Sequence, residues 1–174
     1  MILIHTALLC EAQIIIEKYK LNKISSSPKV YSNSDILLLV GGVGKQNTIK
    51  SLNFIFENYE VRKAFNIGIA GCGNKKFEIG ELFCTNKKLD NIKYKELKTV
   101  DFGIEICDDI SSLNLDFLYD MEGEYFLLIS QKYLQNENIY IFKIISDYLD
   151  DAIPSKDFVK KLIHQNIANM ENWI

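Results

Sequence analysis

Arginine is nearly missing from this sequence. Of its 20 lysines and arginines in 174 residues, Arg62 alone is arginine. Arginine is the side chain best shaped to clamp a phosphate or carboxylate through two parallel hydrogen bonds, so few such clamps can be built here. A basic excess is missing too. The net charge of −3 leaves no electrostatic footprint for a nucleic-acid backbone. No apolar run approaches the roughly 20 residues that span a bilayer, and no basic segment precedes the apolar start Met1–Leu9, so neither a membrane span nor a signal peptide is expected. The four cysteines, Cys10, Cys72, Cys84 and Cys107, form no Cys-x-x-Cys pair. They read as small buried hydrophobes in a reducing cytoplasm. With only His5 and His164 beside them, no ligand cluster for a metal is expected. His5 sits in an apolar run as a core or pocket-edge residue, and His164 in a polar helical pattern as a solvated one. Repeats, low-complexity tails and interdomain linkers are also lacking, so residues 1–174 read as a single domain. Hydrophobic residues at 48% and charged residues at 25% exclude wholesale disorder.

What is present is an alternation of apolar strands and amphipathic helices. Residues 1–8 and Ile36–Val40 are continuous apolar runs, the mark of strands buried on both faces. Ala64–Ala70 and Ile139–Ile145 read the same way. Helical spacing appears over 10–20, 45–58, from Asp120 to about Tyr133, and from Ser155 to about Met170, where Ser155 is a plausible N-cap. Lys23–Ser34 contains Ser25-Ser26-Ser27-Pro28, a loop signal, with room for a short strand near Val30. Residues 79–85, 92–100 and 104–107 suggest further strands that alternate less cleanly. The class is α/β with a largely parallel sheet, in which ligands bind beyond the carboxyl ends of the strands.

Four such ends carry chemistry. Glu11 follows the first strand. Gly42-Val43-Gly44-Lys45 follows the second, Gly68-Ile69-Ala70-Gly71 closes the third, and Ser146-Asp147 closes the last. Asp120-Met121-Glu122 opens the helix before that last strand. Each has an ordinary explanation: Glu11 and Glu122 as first-turn acids facing a helix dipole, Asp147 as an N-cap, the glycines as tight turns. Neither glycine run fits a dinucleotide or P-loop fingerprint.

Taken together and in this order, the segments TALLCEA, LLLVGGVGKQNT, FNIGIAGCGNKKFEIGEL, DMEGEY and FKIISDYLDD resemble the nucleoside phosphorylase type I superfamily. The branch they most resemble holds the 5′-methylthioadenosine/S-adenosylhomocysteine nucleosidases and futalosine hydrolases. The resemblance implies a three-layer αβα sandwich around a mostly parallel mixed sheet, shortened between Gly80 and Asp120. It implies that Glu11 activates an attacking water and that Asp147, beside Ser146, acts as general acid at the purine N7. It implies that Glu122 holds the ribose hydroxyls and Met121 packs on the sugar, with Gly42, Ile69, Ala70 and Gly71 also lining the substrate. Carboxylates near the sugar suit an oxocarbenium-like transition state, and a protonated carboxyl relieves charge on the leaving base.

The expected activity is hydrolysis of a purine nucleoside, with no cofactor and no metal. The expected ligand is a small molecule, a purine nucleoside or adenine, and the expected assembly a homodimer. Phosphorolysis is the first alternative. Against it, Arg62 lies at the amino end of its strand, and Ile69 stands where the family's phosphorylases carry a hydroxyl. A degenerate relative that binds a nucleoside without turnover is the second. Phe102, Ile106 and Cys107 are the local candidates for stacking on the base.

Overall fold

The structure, a computed structural model, describes residues 1–100, 117–149 and 153–174. Among these residues ten strands form one mixed sheet. Its centre is four parallel strands in the order β4 (Ile36–Val40), β1 (Ile2–Thr6), β5 (Lys63–Cys72) and β10 (Ile139–Asp147). These are the four apolar runs of the sequence. Their alternate residues pack into two different cores. Leu3, Leu37, Leu39 and Ile141 face α2 (Lys45–Asn58) and α3 (Gly123–Ser130), meeting Leu52, Ile55, Phe126 and Ile129. Ile4, Leu38, Phe65, Phe142 and Ile144 face α1 (Leu9–Lys18) and α4 (Lys156–Met170), meeting Ile15, Ile163 and Met170. Burial on both faces is why these strands lack a polar alternation, and it gives the three layers expected.

Elsewhere the structure corrects the sequence reading. Lys23–Ser34 holds the short strand expected near Val30, β3 (Lys29–Ser32), but it is a hairpin rather than mostly loop: β3 pairs antiparallel with β2 (Asn22–Ser26) and with β4. Only Val30 of this hairpin is fully buried, so a polar edge strand left little apolar signal. Asp120 does not open a helix. It ends β9 (Leu118–Asp120), and α3 begins at Gly123 with Glu122 at its N-cap. Asp147 is the last residue of β10 rather than a helix cap. Ser155 does cap α4, accepting from the Phe158 N–H.

The far side of β10 carries β6 (Leu82–Cys84), antiparallel, and then β7 (Lys93–Tyr94). β8 (Leu97–Thr99) lies parallel to β9, which pairs antiparallel with the end of β5. The strand suggested at 104–107 lies outside the described residues. Among the described residues no helix is long and apolar enough to cross a membrane.

Candidate active site

The carboxyl ends of β4, β1, β5 and β10 lie side by side, and the acids singled out in the sequence gather there. Glu11 is the third residue of α1. Its Oε2 accepts from the backbone N–H groups of Ala7 (3.0 Å) and Leu8 (2.9 Å), closing the start of the helix. The helix start does not use up this carboxylate, since Oε1 reaches across to accept from the Ile69 N–H on β5 at 3.2 Å. Burial pushes this carboxyl above the usual glutamate range, against the charge of Lys143 and the three backbone donors. The space it occupies exists because residue 68 is glycine. A Cβ there would stand 2.8 Å from Glu11 Oε1 and 3.4 Å from Lys143 Nζ.

Lys143, unmarked in the sequence, is the buried cation of this cluster. It lies inside β10, 1% exposed, and its Nζ pairs with Asp120 Oδ2 at 2.7 Å. Asp120 is held in turn by the Thr99 hydroxyl (2.6 Å) and the Gly123 N–H (2.8 Å). Burial alone would lower the lysine pKa. The carboxylates of Asp120, Glu122 and Glu11 outweigh it and raise the pKa above the ordinary value. The signal was a lysine in the middle of an apolar run on a strand buried from both sides. Such a cation cannot be solvated and must have an acid beside it.

Glu122 accepts from the Gly44 N–H at 2.8 Å, which ties the start of α3 to the turn before α2. Burial raises its pKa to about 7. Lys143 and the Gly44 N–H oppose that rise, and Asp120 and Glu11 reinforce it. The turn itself needs glycine, with φ of 88° at Gly42 and 85° at Gly44. Met121 beside Glu122 is half-buried.

Asp147 follows a β-bulge. The pairing of β10 with β5 runs Ile145 to Ala70 and then Asp147 to Gly71, leaving Ser146 as the extra residue. Bulges of this kind re-aim side chains at sheet ends. The Ser146 hydroxyl donates to Asp147 Oδ2 at 2.6 Å and lies 3.4 Å from the Ala70 carbonyl, while Oδ1 accepts from the Leu149 N–H at 3.0 Å. Gly71 leaves the room, since a Cβ there would stand 2.8 Å from Asp147 Oδ1.

His5 is fully buried on β1, where burial first and the Lys143 charge second hold its pKa down to about 3. Its Nδ1 pairs with the Asn66 amide at 2.8 Å, and its Nε2 has no partner. His164 is exposed, as read. Cys10, Cys72 and Cys84 are buried free thiols; Cys107, with Phe102 and Ile106, lies outside the described residues. Arg62 is exposed at the opposite end of the sheet, its N–H donating to the Met1 carbonyl. Lys45 rests over the Tyr125 ring at 5.4 Å. Among the described residues no three His, Cys, Asp or Glu side chains group so as to hold a metal ion.

No family model matches the chain. Two curated relatives do, both 5′-methylthioadenosine/S-adenosylhomocysteine nucleosidases. The one from Buchnera aphidicola is 29% identical over 174 residues, covering 95% of this chain and 66% of the relative. The one from Staphylococcus haemolyticus is 28% identical over 142 residues, covering 77% and 58%. The chain therefore spans less than two thirds of the length of the curated relatives it matches. Among solved structures, a mutant Helicobacter pylori nucleosidase with 5′-methylthioadenosine in its active site superposes with a TM-score of 0.82 at 15% identity, covering 99% of this chain and 98% of that one. Futalosine hydrolase of Helicobacter pylori gives 0.80, also at 15% identity, covering 99% and 97%. The likeness read from the sequence holds at two levels: sequence similarity to these nucleosidases, and the fold they share with futalosine hydrolase.

Proposed function

We propose that this chain is a purine nucleosidase, cleaving the N-glycosidic bond of a 5′-substituted nucleoside of the methylthioadenosine, S-adenosylhomocysteine or futalosine kind with water. The observation that carries the reading is the Glu11 carboxylate, fixed by three backbone N–H groups at a notch left by Gly68 with Lys143 beside it. A water against the Glu11 carboxylate would meet an acceptor of raised basicity with the Lys143 cation nearby, and Glu11 takes its proton as it attacks C1′. Glu122 binds the ribose hydroxyls, with Met121 against the sugar. Its charge and that of Glu11 stabilise the cationic sugar of the transition state. Asp147, oriented by Ser146, delivers a proton to N7 of the departing purine. Gly42, Ile69, Ala70 and Gly71 form the walls.

Two features argue for water over phosphate: the hydroxyl-free Ile69, and the distance of Arg62 from the site. In this reading residues 1–174 act as one domain, in the cytoplasm, where the buried thiols stay reduced. The protein acts as a homodimer that covers the exposed Leu8, Leu9 and Val43 around the site mouth. The test is adenine release from 5′-methylthioadenosine. Wild type should turn over. Glu11→Gln and Asp147→Asn should each lose on the order of 10³-fold in kcat with unchanged far-UV circular dichroism. Full activity in either variant would remove that residue from its role. Tight binding of the nucleoside by wild type without turnover would replace the enzyme by a binding protein.

A further inference from the structure

Thr99 ends β8, a three-residue strand that pairs with no strand but β9 among the described residues. Its register partner on β9 is Asp120, and both side chains are buried. The Thr99 hydroxyl donates to Asp120 Oδ1 at 2.6 Å, and its oxygen accepts from the Glu124 N–H at 2.9 Å. The second bond fixes the direction of the first. An amide N–H can only donate, so it takes a lone pair of the hydroxyl and leaves the hydroxyl proton for Asp120. Asp120 Oδ2 meanwhile takes the Gly123 N–H at 2.8 Å and Lys143 Nζ at 2.7 Å. Two successive N–H groups from the first turn of α3, which the helix itself cannot satisfy, are thereby used. Donors on both oxygens also hold the carboxylate plane against rotation about the Cβ–Cγ bond.

We propose that Thr99 is a positioning residue for the hydrolytic step: its hydroxyl orients Asp120, Asp120 orients Lys143, and Lys143 is thereby kept beside Glu11. The proposal rests on the nucleosidase reading above. Asp120 is the one acid within ion-pair distance of Lys143 among the described residues, so the ammonium follows the plane of that carboxylate. Lys143 Nζ and Glu11 Oε1 both lie within 3.4 Å of the point where a Cβ at Gly68 would stand. Lys143 is also the charge that opposes the upward push of burial on Glu11. The other titratable groups that feel this ammonium are Asp120, Glu122 and the neutral His5. Glu122 has its own anchor in the Gly44 N–H. Loss of the Thr99 hydroxyl therefore falls on the attack of water more than on the binding of the ribose. The role belongs to the hydroxyl and not to the shape of the side chain, and substitutions can separate the two.

The experiment measures adenine release from 5′-methylthioadenosine across pH by wild type, Thr99→Val and Thr99→Ser. Valine keeps the shape without the hydroxyl, and serine keeps the hydroxyl without the methyl group. Thr99→Val should lose about 10- to 100-fold in kcat with KM within about twofold of wild type. Thr99→Ser should stay within about threefold in both. The acid limb of the kcat/KM profile, which follows Glu11 giving up its proton, should move to higher pH in Thr99→Val, because a less firmly held Lys143 favours the carboxylate less. It should stay in place in Thr99→Ser. Packing alone would not move that limb. If Thr99→Val does not fold, Thr99→Cys, whose thiol is a weak donor of similar size, carries the same test with the same signs and smaller changes. A wild-type kcat in the variant that lacks the hydroxyl, an acid limb that does not move, or a serine variant as slow as the valine one overturns the inference and leaves the nucleosidase reading standing. No turnover by folded wild type overturns both.

Discussion

Glu122 titrates in the range where the protein would work. Burial raises its pKa from the ordinary 4.5 to about 7, so the folded state holds that proton more tightly than the unfolded chain. The stability this confers is complete below pH 4.5 and is lost as pH rises through 7, a change of about 3 kcal/mol. Glu122→Gln removes the titration and keeps an oxygen for the Gly44 N–H. Urea unfolding from pH 4.5 to 8 should show the variant gaining on wild type by about that amount and levelling above pH 7. A constant difference would mean that Glu122 does not ionise from a buried position. Gly68 gives a second test. Its Cβ is missing where Glu11 Oε1 and Lys143 Nζ approach at 2.8 and 3.4 Å. Gly68→Ala should push the carboxylate aside and cost on the order of 10²-fold in kcat. Its melting temperature should fall far less than a core truncation would lower it, because the charged ends can shift.

At the scale of elements, legibility followed burial. β4 and α2 lie at the residues expected, because Ile36–Val40 is apolar throughout and a glycine turn separates it from a clean helical period. β3 was expected near Val30, but its partner β2 was hidden, since Asn22, Lys23 and Ser26 face solvent and carry no alternation. β9 was hidden because it is three residues long and runs straight into α3. Asp120 looked like a helix start, yet its role is to end a strand where its carboxylate meets Lys143 and the Gly123 N–H. Glu11, Glu122 and Asp147 were legible as acids at strand ends. The cation shared by Asp120, Glu122 and Glu11 was not, because an isolated lysine in a sequence usually means solvent. β10 therefore yields a sharp prediction. Lys143→Met matches the length of the chain but leaves Asp120, Glu122 and Glu11 buried without a positive charge. It should destabilise by about 3–5 kcal/mol at pH 8. The loss should be smaller at pH 5, where Glu122 is protonated in any case. Denaturant titrations at the two pH values measure the difference, and equal losses would show that Lys143 matters for packing rather than charge.

On the scale of the whole molecule, the charged groups of the candidate site and the single arginine lie at opposite ends of one sheet. Glu11, Glu122, Asp147 and Lys143 belong to the carboxyl end. The single arginine is at the other, where Arg62 precedes β5, its backbone N–H donating to the Met1 carbonyl while the Met1 ammonium donates to the Glu60 backbone carbonyl. From residue 62 to residue 69 an extended strand covers roughly 23 Å, several times what an arginine side chain can reach. No bidentate guanidinium can therefore meet a phosphate at the notch beside Glu11 in this subunit. The nearest cation, Lys143, is already paired with Asp120 and surrounded by two further carboxylates, an environment that repels a second anion. A neutral nucleophile fits where a dianion would not. Base release should consequently be unchanged, within about twofold, between phosphate-free buffer and buffer with on the order of 50 mM phosphate. In labelled water the heavy oxygen should appear on C1 of the freed sugar, and no sugar phosphate should form. Strict dependence on phosphate would mean that an arginine or lysine from a second copy of the chain completes the site, and water would then lose its place as the nucleophile.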